Sequence, residues 1–226
     1  MEAREAILAR ISAALRQAPA EPAPVERAYR AHADIAPGTP EALALLTGRL
    51  LDYKARVHTT TAENLPATLA ALLADAHPVV VPPALPASWG VSADVVLDRP
   101  PLGKDQLDTA GSVLTAARLA IAETATIVLD GEPDQGRRAI TLIPDRHICV
   151  LRAEQVLVTV PEAIAVLAQH PARPLTWIAG PSATSDIELE RVEGVHGPRT
   201  LDIVITTQPS RDVGEKARPP RESVTH

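Results

Sequence analysis

The segment Gly180–Glu188 (GPSATSDIE) places a glycine, hydroxyl side chains and carboxylates directly after a predicted strand. Gly180 allows a close backbone approach, and free N–H groups follow Pro181. Ser182 and Thr184 add hydroxyl donors. Because ligands of open α/β sheets bind at the carboxyl ends of strands, a helix that begins here could hold a carboxylate or a phosphate.

The same residues also fit ordinary helix capping. Ser182 or Thr184 would then begin the helix, and Asp186 would favour its first turn. In an anion site, we expect the Asp186 side chain to turn away from the ligand and bond backbone N–H groups. The segment lacks the second glycine and the Lys-Ser/Thr pair of a P-loop. Spacing alone leaves anion binding and capping equally open.

A histidine between glycines lies shortly before the last predicted strand, in Glu193–Pro198 (EGVHGP). Such a loop can present the His196 imidazole to a cleft as an acid, a base or a hydrogen-bond donor, with Gly197 beside the ligand. The alternative is that His196 is only a turn residue.

The segment Ala122–Thr126 (AETAT) puts a carboxylate at the mouth of an otherwise apolar strand. A carboxylate there is costly unless it is paired or used, so Glu123 joins His196 as a candidate catalytic residue. Thr124 and Thr126 are candidate ligand-binding hydroxyls. Alternatively, Glu123 is a strand-edge residue bonded to backbone. We expect this loop, the Gly180 loop and His196 to meet at one cleft.

No metal or redox centre is predicted. Asp186, Glu188, Glu190 and His196 have metal-ligand side chains, but their spacing fits no ligand pattern. The only cysteine, Cys149, excludes an internal disulfide and a four-thiolate iron–sulfur cluster, and its apolar neighbours indicate a buried strand. We therefore expect the chain itself to bind no cofactor.

Composition narrows the class of protein. The 226 residues are 46% hydrophobic with no Phe, so aliphatic residues must fill the core. The net charge of −6 argues against a nucleic-acid-binding protein, which would carry a basic patch. No apolar run reaches the ~18 residues of a membrane span, and acidic residues near Met1 are atypical of a signal peptide. We expect a cytoplasmic protein.

The chain divides into an arm, a body and a tail. Apolar residues at helical spacing predict an amphipathic helix over 2–17, and the Pro-rich stretch to residue 40 predicts an extended connector. The body covers 41–206. The tail, 207–226, is polar and aperiodic, and we predict that it is disordered.

Within the body, helices alternate with short apolar strands, which predicts a three-layer α/β/α fold around a mainly parallel sheet. The predicted helices are Glu41–Lys54, Ala62–Ala76, capped by Thr61, and Val160–Gln169. The predicted strands are Ala55–Thr60, Val79–Val81, Val95–Leu97, Gly111–Thr115, Thr126–Asp130, Ala139–Ile143, Ile148–Leu151, Leu175–Ala179 and Leu201–Thr206. Because the turn Asp130–Arg138 could join two of these strands in a hairpin, we expect the sheet to be mixed.

Four segments together resemble the LUD-domain family. They are Ala122–Leu129, Leu142–His147, Gly180–Glu188 and Gly194–Pro198, and their order and spacing fit, as do the chain length and the N-terminal helix. The resemblance extends to about Thr206. One position departs from the family pattern, which usually reads Glu-Thr-Gly-Thr: here Ala125 replaces the glycine. If the turn needs a positive φ, Ala125 is strained.

The resemblance implies a fold similar to the NagB/RpiA/CoA-transferase-like proteins. It also implies a part in bacterial oxidation of L-lactate to pyruvate, alongside two partner proteins that carry iron–sulfur clusters. The expected role is then a non-redox component that binds a small anionic ligand. Two alternatives stay open: an enzyme of acyl-transfer, CoA-transfer or sugar-phosphate type, with Glu123 as nucleophile or base, and a regulatory protein that senses a metabolite.

Overall fold

Ten strands and five helices make up the described part of the chain. The structure is a computed structural model that describes residues 3–17, 26–91, 95–181 and 197–208. The strands are β1 (Arg56–Thr61), β2 (Val79–Val81), β3 (Val95–Leu97), β4 (Ser112–Ala116), β5 (Leu119–Ile121), β6 (Thr126–Leu129), β7 (Arg146–Arg152), β8 (Val156–Leu157), β9 (Thr176–Ala179) and β10 (Thr200–Thr207). The helices are α1 (Ala3–Gln17), α2 (Pro40–Asp52), α3 (Leu65–Leu73), α4 (Lys104–Asp108) and α5 (Val160–Leu167).

The chain falls into two compact units, residues 1–30 and residues 31–226. The first contains α1, which agrees with the amphipathic helix predicted from the apolar spacing. All strands belong to the second. Residues 18–25 of the Pro-rich connector and 209–226 of the predicted tail lie outside the described residues. No helix in the described ranges is long and apolar enough to cross a membrane.

A six-stranded sheet in the order β1-β10-β7-β4-β2-β3 forms the centre of the second unit, and every neighbouring pair in it is parallel. The neighbouring strands β4 and β2 are buried along their whole length, which explains the continuous apolar run of β2. The predicted α/β class and open parallel sheet are therefore confirmed.

The antiparallel strands form a second, smaller sheet, so the prediction of one mixed sheet was wrong. Its order is β8-β5-β6-β9, and it is mixed, because β5–β6 and β6–β9 are antiparallel while β5–β8 is parallel. Side chains alternate between its two faces, since Ile127 packs toward the large sheet while Val128 packs toward α5. The small sheet thus occupies part of the layer that the sequence assigned to helices.

Helices cover both faces of the large sheet. Leu65, Leu69 and Leu73 of α3 pack with Leu114 and other residues on one face. On the other face, α2 and the small sheet share a core with β7 and β10. The order of layers is therefore α3, the large sheet, α2 with the small sheet, and α5.

Local signals explain where two of the helices begin. Thr39 precedes α2, accepts a hydrogen bond from Ala42 N–H and is followed by Pro40 in the first turn. Thr159 and Glu162 form a reciprocal capping box at the start of α5. Thr61, the predicted cap of α3, instead accepts from Asn64 N–H, so that helix begins later than expected.

The predicted strand Ala139–Ile143 was also wrong, because this apolar run lies in a 3₁₀ turn over Arg138–Thr141. Ile140 is buried there against Leu107 and Val113. The turn Asp130–Arg138 consequently joins no hairpin. Sequence reasoning also missed α4 and the two short strands β5 and β8.

Candidate functional site

The predicted Ala122–Thr126 segment is the tight turn that joins β5 to β6. Ala122 N–H donates to Leu157 O over 2.8 Å, and Glu123 N–H donates to Val158 O over 3.1 Å, so the turn is anchored just beyond β8. Ala125 is fully buried with a φ of 50°. The turn therefore does require the left-handed backbone, and an alanine occupies a position that favours glycine.

The two threonines of this turn bond each other. The Thr124 and Thr126 hydroxyl oxygens are 2.9 Å apart, and the Thr126 hydroxyl also donates to Thr124 O over 3.2 Å. Since a hydroxyl has one proton, Thr124 is then the donor within the pair. Thr126 is buried, whereas Thr124 is exposed. In this arrangement Thr126 positions the turn, and Thr124 would have to rotate to donate to a ligand.

The end of β9 lies beside this turn, as expected. Thr126 pairs with Ala179, which brings Gly180 to the same end of the small sheet. Gly180 has a φ of 74°, and a Cβ built on it would lie 2.8 Å from Tyr53 Cβ and 3.0 Å from Tyr53 O. A side chain at position 180 would therefore be unfavourable for two reasons: the left-handed backbone disfavours residues other than glycine, and the Cβ would clash with Tyr53.

This end of the small sheet faces the amino edge of the large one. Tyr53 leads directly into β1, which begins at Arg56, and Gly197 leads into the first residue of β10. The expectation that Gly180 follows a strand of the open parallel sheet was wrong, because β9 belongs to the small sheet and runs antiparallel to β6. The carboxyl-edge rule for ligand sites therefore gives no support to this location.

Some of the predicted site residues are not placed by the structure. Ser182, Thr184, Asp186 and His196 lie outside the described residues. Among the others, Glu123, Thr124, Thr126, Gly180 and Pro181 come together around the β5–β6 turn. The shared cleft with Ser182 and His196 stays a prediction.

The described residues contain no group of three or more His, Cys, Asp or Glu side chains that could hold a metal ion. Cys149 is fully buried in β7, and burial raises the pKa of its thiol to about 12. This environment favours the neutral thiol, as expected for a core residue.

Sequence reasoning missed a buried polar pair in the large sheet. His147 Nε2 is 2.8 Å from the Thr115 hydroxyl, while no partner for His147 Nδ1 occurs in the structure as described. Burial, followed by the charge of Arg138, lowers the pKa of His147 to about 4, so the ring is neutral at pH 7. The only sequence signal for His147 was its place in Leu142–His147, one of the four segments that resemble the LUD-domain family.

Sequence reasoning also missed a cavity at the opposite, carboxyl edge of the large sheet. It has a volume of about 460 Å³, and its lining includes Asp98, just after β3, and Arg137 and Arg138. This site was not predicted because Asp130–Arg138 was interpreted as a hairpin turn, and Arg137 and Arg138 are the last two residues of that segment.

Comparison with known proteins identifies the family. Residues 103–206 match the LUD domain. Lactate utilization protein C of Deinococcus radiodurans is 48% identical over 187 residues, which cover 81% of this chain and 82% of that protein. Lactate utilization protein C of Geobacillus kaustophilus is 29% identical, over 67% of this chain and 74% of the relative.

A solved structure gives the same result. The crystal structure of a DUF162 family protein from Deinococcus radiodurans superposes with a TM-score of 0.64 and is 42% identical, covering 74% of this chain and 96% of that chain. This match supports the α/β architecture, and the extent and identity of the first relative show common descent. The chain therefore belongs to the LUD-domain family, within the group of lactate utilization protein C.

Proposed function

We propose that this chain is the non-redox component of a bacterial system that oxidises L-lactate to pyruvate. The observation that carries the proposal is the 48% identity to a lactate utilization protein C across 82% of that relative. A fold shared with the NagB/RpiA/CoA-transferase-like proteins is part of the proposal, as is action in the cytoplasm. Two partner proteins would carry the iron–sulfur clusters that accept the electrons.

The cysteine content supports this division of labour. One thiol cannot supply the ligands of a four-thiolate cluster. Cys149 is also fully buried, and burial raises the pKa of its thiol to about 12, which disfavours the thiolate that binds metals. Electron transfer through an iron–sulfur cluster therefore requires another chain.

We also propose that a small anion binds around the β5–β6 turn and the start of the Gly180 segment. The backbone conformation supports this anion site. Ala125 and Gly180 are neighbours in space at one end of the small sheet, and both adopt left-handed φ values, of 50° and 74°. The left-handed conformation is strained at Ala125, which is not a glycine, and strained backbone clusters at ligand sites. The N–H groups after Pro181 and the hydroxyls of Ser182 and Thr184 would be the donors.

The complex can be tested by purification from the native host. A tagged copy of the chain should recover two iron-containing, cysteine-rich proteins, and the mixture should reduce a dye only when L-lactate is added. The purified chain alone should contain no stoichiometric iron and should not reduce the dye. Turnover of a CoA thioester by the isolated chain would instead favour an independent transferase.

The anion site can be tested by calorimetry with L-lactate and inorganic phosphate. Ser182→Ala should weaken binding by about 1 kcal/mol, the usual net value of one hydrogen bond. Ser88→Ala, which changes an exposed serine elsewhere, should leave it unchanged. Asp186→Ala should lower stability by roughly 1 kcal/mol, as the loss of a cap does. Tighter anion binding in Asp186→Ala with unchanged stability would show that Asp186 faces the ligand.

A further inference from the structure

The cavity at the carboxyl edge has the size and walls of a small-molecule site. Its volume of about 460 Å³ lies within the ~300–1,000 Å³ typical of ligand pockets. Apolar walls come from Pro83, Pro101, Leu129 and Pro174, while Thr176 adds a hydroxyl.

The position of the cavity agrees with the general rule for open α/β sheets. Pro83 and Asp98 follow the carboxyl ends of the adjacent parallel strands β2 and β3, and this is the edge at which such sheets bind ligands. Leu129 and Thr176, which pair across the small sheet, form the facing side. Thr126 lies three residues from Leu129, so this site is separated from the β5–β6 turn by about 10 Å along β6.

The acidic side chains of the cavity are already compensated by arginines. Arg137 donates to both carboxylate oxygens of Asp98, from Nε over 2.7 Å and from Nη2 over 2.9 Å. Burial raises the pKa of Asp98, but the hydrogen bonds from Arg137 and Leu102 N–H outweigh it and leave the pKa lowered. Glu132 forms an ion pair with Arg173. These pairs leave the cavity with no surplus negative charge.

Arg138 is the exception among the charged groups of the lining. Within the described residues, its side chain donates a hydrogen bond only to the Thr141 hydroxyl, over 3.2 Å, and pairs with no carboxylate. The Thr141 hydroxyl in turn donates to Arg138 O. The pKa of Arg138 is lowered by burial alone, whereas the Asp98 carboxylate raises the pKa of Arg137. An accessible guanidinium without a counter-ion favours an anionic partner.

We propose that this cavity binds a small organic carboxylate through Arg138, with the apolar body of the ligand against the proline and leucine walls. The planar guanidinium matches a carboxylate with two parallel hydrogen bonds. The volume of about 460 Å³ leaves room for an acid larger than a three-carbon one. The site is independent of the one proposed at the β5–β6 turn.

The test uses calorimetry on the full chain with three probes. Benzoate carries both the carboxylate and an apolar body, benzamide lacks the charge, and inorganic phosphate lacks the apolar body. We expect saturable benzoate binding that is on the order of tenfold tighter than benzamide binding, as expected for one charge-assisted contact. Because phosphate is also a probe of the β5–β6 site, its affinity for this cavity is measured by displacement of benzoate. Equal binding of benzamide, displacement of benzoate by an equal concentration of phosphate, or no benzoate binding at millimolar concentration would overturn the proposal.

Variants assign the binding to this cavity. Arg138→Ala should weaken benzoate binding about tenfold or more, and Arg138→Lys should weaken it less. Arg49→Ala, a change of an exposed arginine on α2, should have no effect. If Arg138→Ala fails to fold, Thr176→Glu supplies an independent test, because it introduces a negative charge into the lining and should also weaken binding. Unchanged benzoate affinity in a folded Arg138 or Thr176 variant would contradict the assignment.

Discussion

Gly180 lies so close to Tyr53 that a Cβ on the glycine would be 2.8 Å from Tyr53 Cβ. This relationship joins the end of β9 to the chain that enters β1, and it fixes the small sheet against the amino edge of the large one. Since the obstacle includes Tyr53 O at 3.0 Å, rotation of the tyrosine side chain cannot remove it.

The first prediction concerns this contact. Gly180→Ala should lower the free energy of unfolding by about 2–4 kcal/mol, because it combines a left-handed alanine with overpacking. Gly48→Ala provides the control: a Cβ there meets no atom within 4 Å, and the residue lies inside α2. It should stabilise by about 0.5–1 kcal/mol. Denaturant unfolding measures both, and equal effects of the two changes would refute the close approach.

The second prediction concerns the strained turn. Ala125→Gly should stay within about 1 kcal/mol of the parent protein, since relief of the left-handed strain offsets the loss of a buried methyl group. Ala125→Val should destabilise the protein much more, because a β-branched residue is poorly tolerated at positive φ.

Ala122→Val is the matched control for that change. Ala122 is equally buried in the same turn without a positive φ. Overpacking alone should cost about 1–3 kcal/mol there. The free energy of unfolding should therefore be lower for Ala125→Val than for Ala122→Val. The reverse order would show that Ala125 is unstrained.

The third prediction concerns pH and His147. Its pKa falls from 6.5 to about 4 in the folded state, first because of burial and then because of the Arg138 charge. Between these values the unfolded chain binds the proton more readily, so stability is complete above pH 6.5 and is lost toward pH 4. The loss should total about 3 kcal/mol, at about 1.4 kcal/mol per pH unit.

His147→Gln removes this titration while keeping a nitrogen for the Thr115 hydroxyl. Its curve of unfolding free energy against pH should be flatter than that of the parent between pH 4 and 6.5. Other titrating groups are common to both proteins and cancel in the difference. His170→Gln, at an exposed position, should leave the parent curve unchanged. Parallel curves for His147→Gln and the parent would mean that His147 is not held neutral.

The fourth prediction concerns the capping box of α5. Glu162 accepts N–H bonds from Val158 over 2.8 Å, Thr159 over 2.9 Å and Ala33 over 3.2 Å. Burial raises its pKa, but these backbone donors outweigh burial and lower it overall. Glu162→Ala should therefore destabilise by about 2–3 kcal/mol at pH 7.

An exposed glutamate serves as the comparison. Glu154 pairs with Arg152 over 2.7 Å, and both side chains are about 60% exposed, at 59% and 60%. Glu154→Ala should cost less than about 0.5 kcal/mol. Thermal unfolding at pH 7 distinguishes the two, and a small effect of Glu162→Ala would show that the three backbone contacts contribute little.

The sequence was sufficient to predict the large sheet. Runs such as Val79–Val81 and Leu201–Thr206 are apolar and bounded by breakers, so their strands are almost fully determined locally. The strands β5 and β8 were not predicted because they are short and, unlike β2 between Pro78 and Pro82, have no proline or glycine directly beside them. The run Ala139–Ile143 is apolar enough for a strand, but burial of Ile140 beside α4 places it in a 3₁₀ turn.

The candidate site was predictable only in part, for a similar reason. The glycine at position 180 and the turn at Ala125 have local signatures, and their pairing follows once β6 and β9 are neighbours. The contact with Tyr53 and the cavity around Arg138 depend on residues far apart in the chain. No local pattern reports such contacts, since they arise from how the two sheets stack.

The most direct test of the proposed role is lactate-dependent dye reduction in extracts of a host strain that lacks this chain. The account predicts that deletion abolishes the activity and that added purified chain restores it. The Cys149→Ala variant should restore it equally, because the single thiol has no redox part in the proposal. Undiminished activity in the deletion extract, or restoration that requires Cys149, would contradict a non-redox role in lactate oxidation.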